Sequence, residues 1–103
     1  MFKIGTDIVQ ISRMEESIKS KAFLGRVFTE GEREYCRNAE SFAGIFACKE
    51  AYFKAIGTGI RLPMTDVEIL HDGKGRPYIN GVSNCDVSIS HDGEYAIAAV
   101  IIW

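Results

Sequence analysis

The sequence contains few cysteines, no long apolar run and no excess of basic residues. Its three cysteines, Cys36, Cys48 and Cys85, form no CxxC pair, which argues against a disulfide framework or a zinc site and favours free thiols in a reducing cytoplasm. No run approaches the roughly 20 apolar residues of a membrane-spanning helix, and the N-terminus lacks the apolar segment of a secretory signal. The 12 basic and 14 acidic residues give a net charge of −2, which argues against a dedicated nucleic-acid-binding protein.

Common nucleotide-binding and hydrolase signatures are also missing. The chain has no GxxxxGKS/T motif, no GxGxxG motif and no nucleophile elbow, so it shows none of the sites that these motifs build. What it does have is 103 residues, of which 47% are hydrophobic and 25% are charged. This composition predicts one domain with a modest core, covering residues 1–103.

The first third of the chain predicts a strand followed by short helices. Residues 2–11 are rich in β-formers, and Gly5 within them indicates a bulge or a close backbone approach. Residues 12–21 predict a helix with Ser12 as its N-cap. Thr29 followed by a glutamate three residues later is a capping box, which predicts a second helix start.

The rest of the chain predicts one longer helix and then a β region. Apolar residues at helical spacing predict a helix that Ser41 caps and that runs through Ile56. Gly57 follows in the position where a glycine ends a helix. Alternating and apolar segments then predict four strands, over residues 66–70, 77–79, 86–90 and 95–103.

The long helix carries the segment with the richest chemistry. Glu50 and Lys54 are four residues apart, so they lie on one helix face, where the ordinary explanation is a solvated ion pair. Asp7 is a carboxylate within a strand, where it either disrupts edge pairing or supplies an oxygen ligand to a hard cation. Asp7 with Glu50 suits Mg²⁺, which takes one or two carboxylates together with water and phosphates.

Two further groups have both an ordinary and a functional explanation. His91 follows Ser90 at a predicted turn, where it is either polar surface or a donor to a phosphate assisted by the serine hydroxyl. Basic residues around the first helix form either a solvated face or a docking patch for an acidic partner. They are Arg13, Lys19, Lys21 and Arg26.

Taken together, these segments resemble the holo-(acyl-carrier-protein) synthase family, the small 4′-phosphopantetheinyl transferases. The resemblance spans almost the whole chain in order, and the aspartate strand combined with the K-E-A-x-x-K-A helix is specific. The matching segments are Ile4–Val9 with Arg13, Arg26–Glu32, Phe46–Ile60, Gly75-x-Pro77, and Val87–His91 with Tyr95-Ala96.

The resemblance implies an α+β fold in which a long helix packs on a small antiparallel-rich sheet. It also implies a Mg²⁺-dependent enzyme that transfers 4′-phosphopantetheine from coenzyme A to a serine of an apo acyl carrier protein and releases 3′,5′-ADP. Such an enzyme serves fatty acid biosynthesis in the cytoplasm. Members of the family are usually homotrimers whose active sites are shared between neighbouring protomers.

The resemblance also implies residue roles. Asp7 and Glu50 would hold Mg²⁺ against the pyrophosphate, and Lys54 would contact the transferring phosphate. Either Glu50 or a metal-bound water would take the proton of the serine hydroxyl. Four positions would contact coenzyme A: Lys54, Gly57, Ser90 and His91. Two would dock the acidic carrier helix: Arg13 and Arg26.

One position departs from the family pattern. Most relatives carry an arginine just before Phe46, whereas this chain has Ile45. Either Lys49 supplies the missing positive charge, or the affinity for coenzyme A is lower. The departure keeps open an alternative function, a non-catalytic module of the same fold that binds coenzyme A or the carrier protein. An unrelated structural α+β domain would have to explain an ordered match along the whole chain.

Overall fold

The computed structural model describes all 103 residues and has the expected α+β architecture, with a long helix lying across an antiparallel sheet. None of its helices combines the length and the apolar character that crossing a lipid bilayer requires. The helices and strands, in chain order, are β1 (Lys3–Gln10), α1 (Ile11–Ser17), α2 (Lys21–Val27), α3 (Glu30–Tyr35), α4 (Ala39–Ile56), a 3₁₀ turn (Met64–Asp66), β2 (Ile69–His71), β3 (Pro77–Ile79), β4 (Cys85–Asp92) and β5 (Tyr95–Ile102).

The main sheet has the strand order β1–β5–β4, and all its pairings are antiparallel. Alternation along β5 buries Ala96, Ala98 and Val100 on the face that packs against α4. The opposite face remains open to solvent and leaves Ile97 48% exposed. Strands β2 and β3 form a separate two-stranded sheet.

Helix α4 lies very close to β1 because small residues line both sides of the contact. Ala51 and Ala55 are buried on the helix. A side-chain carbon added to Gly5 would overlap the carbonyl oxygen of Ala51, so only glycine fits at this point of the strand. The close backbone approach predicted for Gly5 is confirmed, and it brings Asp7, two residues further along β1, to the same helix.

Two local signals in the sequence correspond to the observed helix ends. Thr29 and Glu32 form a complete capping box, in which each side chain accepts a hydrogen bond from the backbone N–H of the other residue, at 3.1 and 2.8 Å. Gly57 ends α4 with a left-handed φ of 79°. Both motifs depend on a few adjacent residues, which is why the sequence alone predicts them.

The helix predicted over residues 12–21 forms as α1 over Ile11–Ser17, so its end and its cap differ from the prediction. Gln10, not Ser12, occupies the N-cap of α1, without a side-chain hydrogen bond. Ser20 caps α2, because its hydroxyl accepts a hydrogen bond from the backbone N–H of Phe23 at 3.2 Å. The chain passes straight from β1 into α1, and Ser20 then starts a second helix, α2, that was not predicted.

Two further boundaries differ from the sequence prediction. Asn38, not Ser41, is the N-cap of α4, and its side-chain oxygen accepts from the backbone N–H of Ser41 at 2.9 Å. Asparagine caps a helix at least as well as serine and lies three residues earlier. The strand predicted over 66–70 begins only at Ile69, after the 3₁₀ turn. The other strands agree with the prediction to within about two residues.

Candidate active site

Asp7, Glu50 and Lys54 meet where β1 packs against α4. Asp7 lies on the face of β1 that carries the buried Gly5 and Val9, so it points toward the helix. The ammonium nitrogen of Lys54 lies 3.0 Å from Oδ1 of Asp7. It also donates to the carbonyl oxygen of residue 6 at 3.0 Å. Lys54 therefore makes its ion pair with Asp7 of the sheet and not with Glu50, so the solvated Glu50–Lys54 pair of the ordinary explanation does not form.

The two carboxyl groups of this cluster lie close enough to affect each other's ionisation. The pKa of Glu50 is raised to about 7, mainly by burial and then by the charge of Asp7, while Lys54 opposes the shift. One oxygen of Asp7, Oδ2, is buried and has no hydrogen-bond partner. Two carboxyl groups thus share one exposed ammonium group, and the cluster lacks positive charge.

The cluster fits a hard divalent cation of the magnesium type. A buried carboxylate oxygen without a partner and a second carboxyl group beside it are the oxygen donors that such a cation prefers. No group of three or more histidine, cysteine, aspartate or glutamate side chains is arranged to hold a metal ion. A cation held here would therefore complete its coordination with water and substrate oxygens, as Mg²⁺ commonly does.

Three clefts are lined by Asp7, by Glu50 or by both. One cleft of about 330 Å³ contains Asp7, Lys54 and Ser90. A second, of about 250 Å³, contains both carboxylates and Arg13. A third, of about 380 Å³, contains Glu50 and Arg26 and is lined mainly by apolar side chains. The structure therefore brings six of the eight residues predicted from the sequence, all except Gly57 and His91, to clefts that share Asp7 or Glu50.

Gly57 and His91 do not line the clefts that contain Asp7 or Glu50. Gly57 ends α4 on an exposed turn, three residues beyond Lys54. His91 lies near the end of β4 and lines a different cavity, of about 260 Å³. Its Nε2 lies 3.3 Å from a carboxylate oxygen of Glu40. One chain alone does not assemble the complete set of predicted coenzyme A contacts around Asp7 and Glu50.

The His91 cavity contains residues that the sequence analysis did not select. Tyr35 and His71 stack there with ring centroids 3.8 Å apart and planes 6° from parallel. Glu40 lies on the first turn of α4, where an acidic residue is ordinarily explained by the helix dipole. Tyr35, Glu40 and His71 belong to three different elements, α3, α4 and β2, so no local pattern predicts that they line one cavity.

Lys49 does not supply the charge that is missing at Ile45. The side chain of Lys49 is fully buried and does not line the cavity of His91, with Nζ 2.6 Å from a carboxylate oxygen of Glu32. Ile45 is also buried and lines the cavity of His91. The two positions are four residues apart, but burial against Glu32 turns the ammonium group away from that cavity, so the expectation that Lys49 compensates is wrong.

Comparison with curated proteins gives matches over nearly the whole chain. A family model described as the 4′-phosphopantetheinyl transferase superfamily matches residues 3–100. A holo-[acyl-carrier-protein] synthase from Fusobacterium nucleatum is 40% identical over 117 residues, covering 96% of this chain and 96% of the relative. Another from Exiguobacterium sp. is 47% identical over 109 residues, covering 96% of this chain and 89% of the relative.

Solved structures give the same result at the level of the fold. Helicobacter pylori holo-[acyl-carrier-protein] synthase in complex with coenzyme A superposes with a TM-score of 0.86 at 38% identity, covering 94% of this chain and 96% of that one. The Bacillus anthracis holo-(acyl-carrier-protein) synthase, in complex with CoA (3′,5′-ADP), gives a TM-score of 0.84 at 37% identity, covering 96% of this chain and 93% of that one.

Proposed function

The chain belongs to the 4′-phosphopantetheinyl transferase superfamily, and we propose that the cluster of Asp7, Glu50 and Lys54 is its active site. The chain is a holo-(acyl-carrier-protein) synthase, which transfers 4′-phosphopantetheine from coenzyme A to a serine of an apo acyl carrier protein. The observation that carries the site assignment is the carboxyl pair at the contact of β1 with α4, with Lys54 3.0 Å from Asp7.

Asp7 and Glu50 would hold a Mg²⁺ ion. The unpartnered buried oxygen of Asp7 and the raised pKa of Glu50 support this assignment, because both indicate carboxylate charge that lacks a counter-ion. A bound Mg²⁺ would supply the positive charge that the pyrophosphate of coenzyme A requires. Glu50 reaches this position because α4 lies in backbone contact with β1.

Lys54 and Glu50 have separate roles in the transfer itself. The serine oxygen of the carrier forms a bond to the phosphorus that bears the pantetheine arm, and the bond from that phosphorus to the departing 3′,5′-ADP breaks. Lys54 is 57% exposed beside Asp7, so its ammonium group can neutralise charge that develops on the phosphoryl oxygens. Glu50, with a pKa of about 7, is the chain's own candidate to accept the serine proton near neutral pH.

The nucleotide end of coenzyme A would bind across two protomers of a homotrimer. Gly57 and His91 lie away from the carboxylate pair of their own chain, so a site that uses all the predicted residues needs a neighbouring copy. The outer face of the sheet supports assembly, because it exposes a row of apolar side chains. These are Phe2, Ile4, Ile8 and Ile97, which are between 48% and 72% exposed.

The carrier protein would dock beside Glu50, through Arg13 and Arg26. Both arginines are exposed and line clefts that contain Glu50. A carrier with an acidic helix would be attracted to these charges, and its serine would then lie near the carboxylates. In this role the enzyme would serve fatty acid biosynthesis in the cytoplasm.

Intact mass spectrometry of an apo acyl carrier protein tests the function directly. The carrier is incubated with this protein, coenzyme A and Mg²⁺, and a matched sample contains EDTA. We expect a metal-dependent mass gain of one phosphopantetheine group. No gain with several carriers and a folded sample would contradict catalysis and favour the non-catalytic binding module, for which the replacement at Ile45 is the relevant feature.

A further inference from the structure

Lys49 precedes Glu50 in the sequence but lies inside the protein. Its side chain and that of Glu32 are both fully buried, with Nζ 2.6 Å from a carboxylate oxygen of Glu32. The same nitrogen donates to the carbonyl oxygens of Val27 at 2.6 Å and Met64 at 3.0 Å. Each of the three N–H donors of this ammonium group therefore has an acceptor.

The two carbonyl groups belong to two separate segments, each forming one wall of the apolar cleft beside Glu50. Val27 is the last residue of α2, directly after Arg26. Met64 begins the 3₁₀ turn that follows the exposed Leu62. All four of these residues line the cleft of about 380 Å³ that also contains Glu50, so Lys49 joins both walls to the helix that carries the active-site carboxylate.

The need to hold these carbonyls explains why a charged side chain is buried here. A buried ion pair is often no more stabilising than apolar residues of the same volume. An apolar side chain at position 49 would fill the space but could not donate to either carbonyl oxygen. The carbonyl of Val27 would then have no donor, which destabilises a buried group, and that of Met64 would keep only the backbone N–H of Val67 at 3.3 Å. The contacts of Lys49 thus provide a geometry that packing alone does not.

We propose that Lys49 is a positioning residue for carrier recognition. By holding Val27 and Met64 against α4, it fixes the two walls of the cleft, and Arg26 with them, at a set distance from Glu50. This role rests on the proposed function, because the cleft is where the carrier would dock. Loss of Lys49 should then weaken carrier binding while leaving coenzyme A binding unchanged, since Asp7 and Lys54 contact neither wall.

The test compares two variants that both lack the buried ion pair. In Glu32→Gln, Lys49 remains, and even a neutral amine would keep two N–H donors for the two carbonyl oxygens. In the double variant Glu32→Gln with Lys49→Met, both carbonyls lose the contact with position 49, and that of Met64 keeps only the backbone N–H of Val67. No uncompensated charge stays buried. Folding of both is checked by cooperative thermal melting, and KM is measured separately for apo carrier and for coenzyme A.

We expect the double variant to have a carrier KM at least about fivefold above that of Glu32→Gln, with the coenzyme A KM within about twofold. Equal carrier KM values would overturn the proposal, as would a parallel rise in both KM values, which indicates general loss of structure. If the double variant does not fold, Lys49→Arg keeps the charge and the donors but lengthens the side chain. It should raise the carrier KM alone, and an unchanged value would overturn the proposal.

Amide hydrogen exchange distinguishes failure of this role from failure of the proposed function. We expect faster exchange in α2 and in residues 60–64 of the double variant than in Glu32→Gln, whether or not the wild-type protein modifies a carrier. Inactive wild-type protein with this exchange difference would contradict only the function. Active protein without the exchange difference would contradict only the positioning by Lys49.

Discussion

Lys54 contacts only one of the two carboxylate oxygens of Asp7. Its Nζ lies 3.0 Å from Oδ1, whereas Oδ2 is buried and has no hydrogen-bond partner. The aspartate side chain is only 10% exposed, while the lysine side chain is 57% exposed. Oδ2 of Asp7 therefore remains a free acceptor with little access to water. The exposed Lys54 side chain can turn toward a substrate without moving the aspartate.

We expect Glu50→Gln to lower the turnover of carrier modification by at least about 100-fold while the protein still folds. The glutamine has nearly the same shape but loses the negative charge that a divalent cation and the serine proton both need. Discontinuous assays with saturating substrates measure the turnover. Glu34→Gln, on the exposed face of α3, is the control. A glutamine variant with full activity would remove Glu50 from both roles.

The raised pKa of Glu50 predicts how stability depends on pH in metal-free protein. Its pKa rises from an ordinary 4.5 to about 7 in the folded state, so between these values the folded protein binds more protons than the unfolded chain. Stability therefore falls as pH rises through this window. Glu50→Gln should flatten this dependence, as measured by thermal melting in EDTA.

Mg²⁺ should oppose the fall in stability with rising pH, because it competes with the proton for the carboxylates of Asp7 and Glu50. We expect Mg²⁺ to raise the melting temperature more at about pH 8 than at about pH 6. An equal rise at both values would contradict binding at Glu50.

Arg13→Ala should raise the KM for the carrier several-fold with little change in the KM for coenzyme A. Arg13 is exposed and shares a cleft with Asp7 and Glu50, so its charge attracts an acidic carrier toward the site. Arg33→Ala, which changes an exposed arginine on α3, is the matched control and should have no effect. An unchanged carrier KM for Arg13→Ala would exclude Arg13 from the docking surface.

Glu40→Gln should lower the KM for coenzyme A. The carboxylate of Glu40 lies 3.3 Å from Nε2 of His91. In the proposed site this carboxylate would repel the 3′-phosphate at the nucleotide end of coenzyme A and compete with it for the imidazole. Dephospho-coenzyme A lacks that phosphate and is the matched control substrate, so its KM should not change. Equal effects on both substrates would show that His91 does not contact the 3′-phosphate.

Gly5→Ala should destabilise the protein by about 3 kcal/mol, because the added methyl group overlaps backbone atoms that cannot rotate away. Gly25→Ala is the control. A side-chain carbon at Gly25 would have no atom within 4 Å, and alanine favours the helical conformation there. Chemical denaturation gives both values. Similar stabilities for the two variants would contradict the tight contact between β1 and α4.

The sequence predicts those features that depend on neighbouring residues or on a motif spanning most of the chain. Thr29 and Glu32 identify their own helix start, and Gly57 identifies the end of α4. Asp7 and Glu50 lie 43 positions apart, so only the family resemblance links them. The prediction of Ser41 as the cap of α4 fails because Asn38, three residues earlier, is at least as good a cap.

Features that arise from tertiary contact could not be predicted. Lys49 and Glu50 are adjacent, yet one is fully buried and the other faces the active-site clefts. The contact of Glu40 with His91 joins the start of α4 to the end of β4, which no spacing in the sequence encodes. Burial and charge pairing across elements decide these positions, and both depend on the completed fold.

The backbone contact at Gly5 has a consequence for the choice of metal ion. Because strand and helix touch without an intervening side chain, no repacking between them can change the spacing of the backbones that carry Asp7 and Glu50. A site that cannot expand disfavours Ca²⁺, whose longer and more variable ligand distances call for an adaptable cage. Ions of small radius and regular octahedral geometry suit such a fixed spacing. The lack of a side chain at Gly5 would in this way limit the size of the cation that the proposed site accepts.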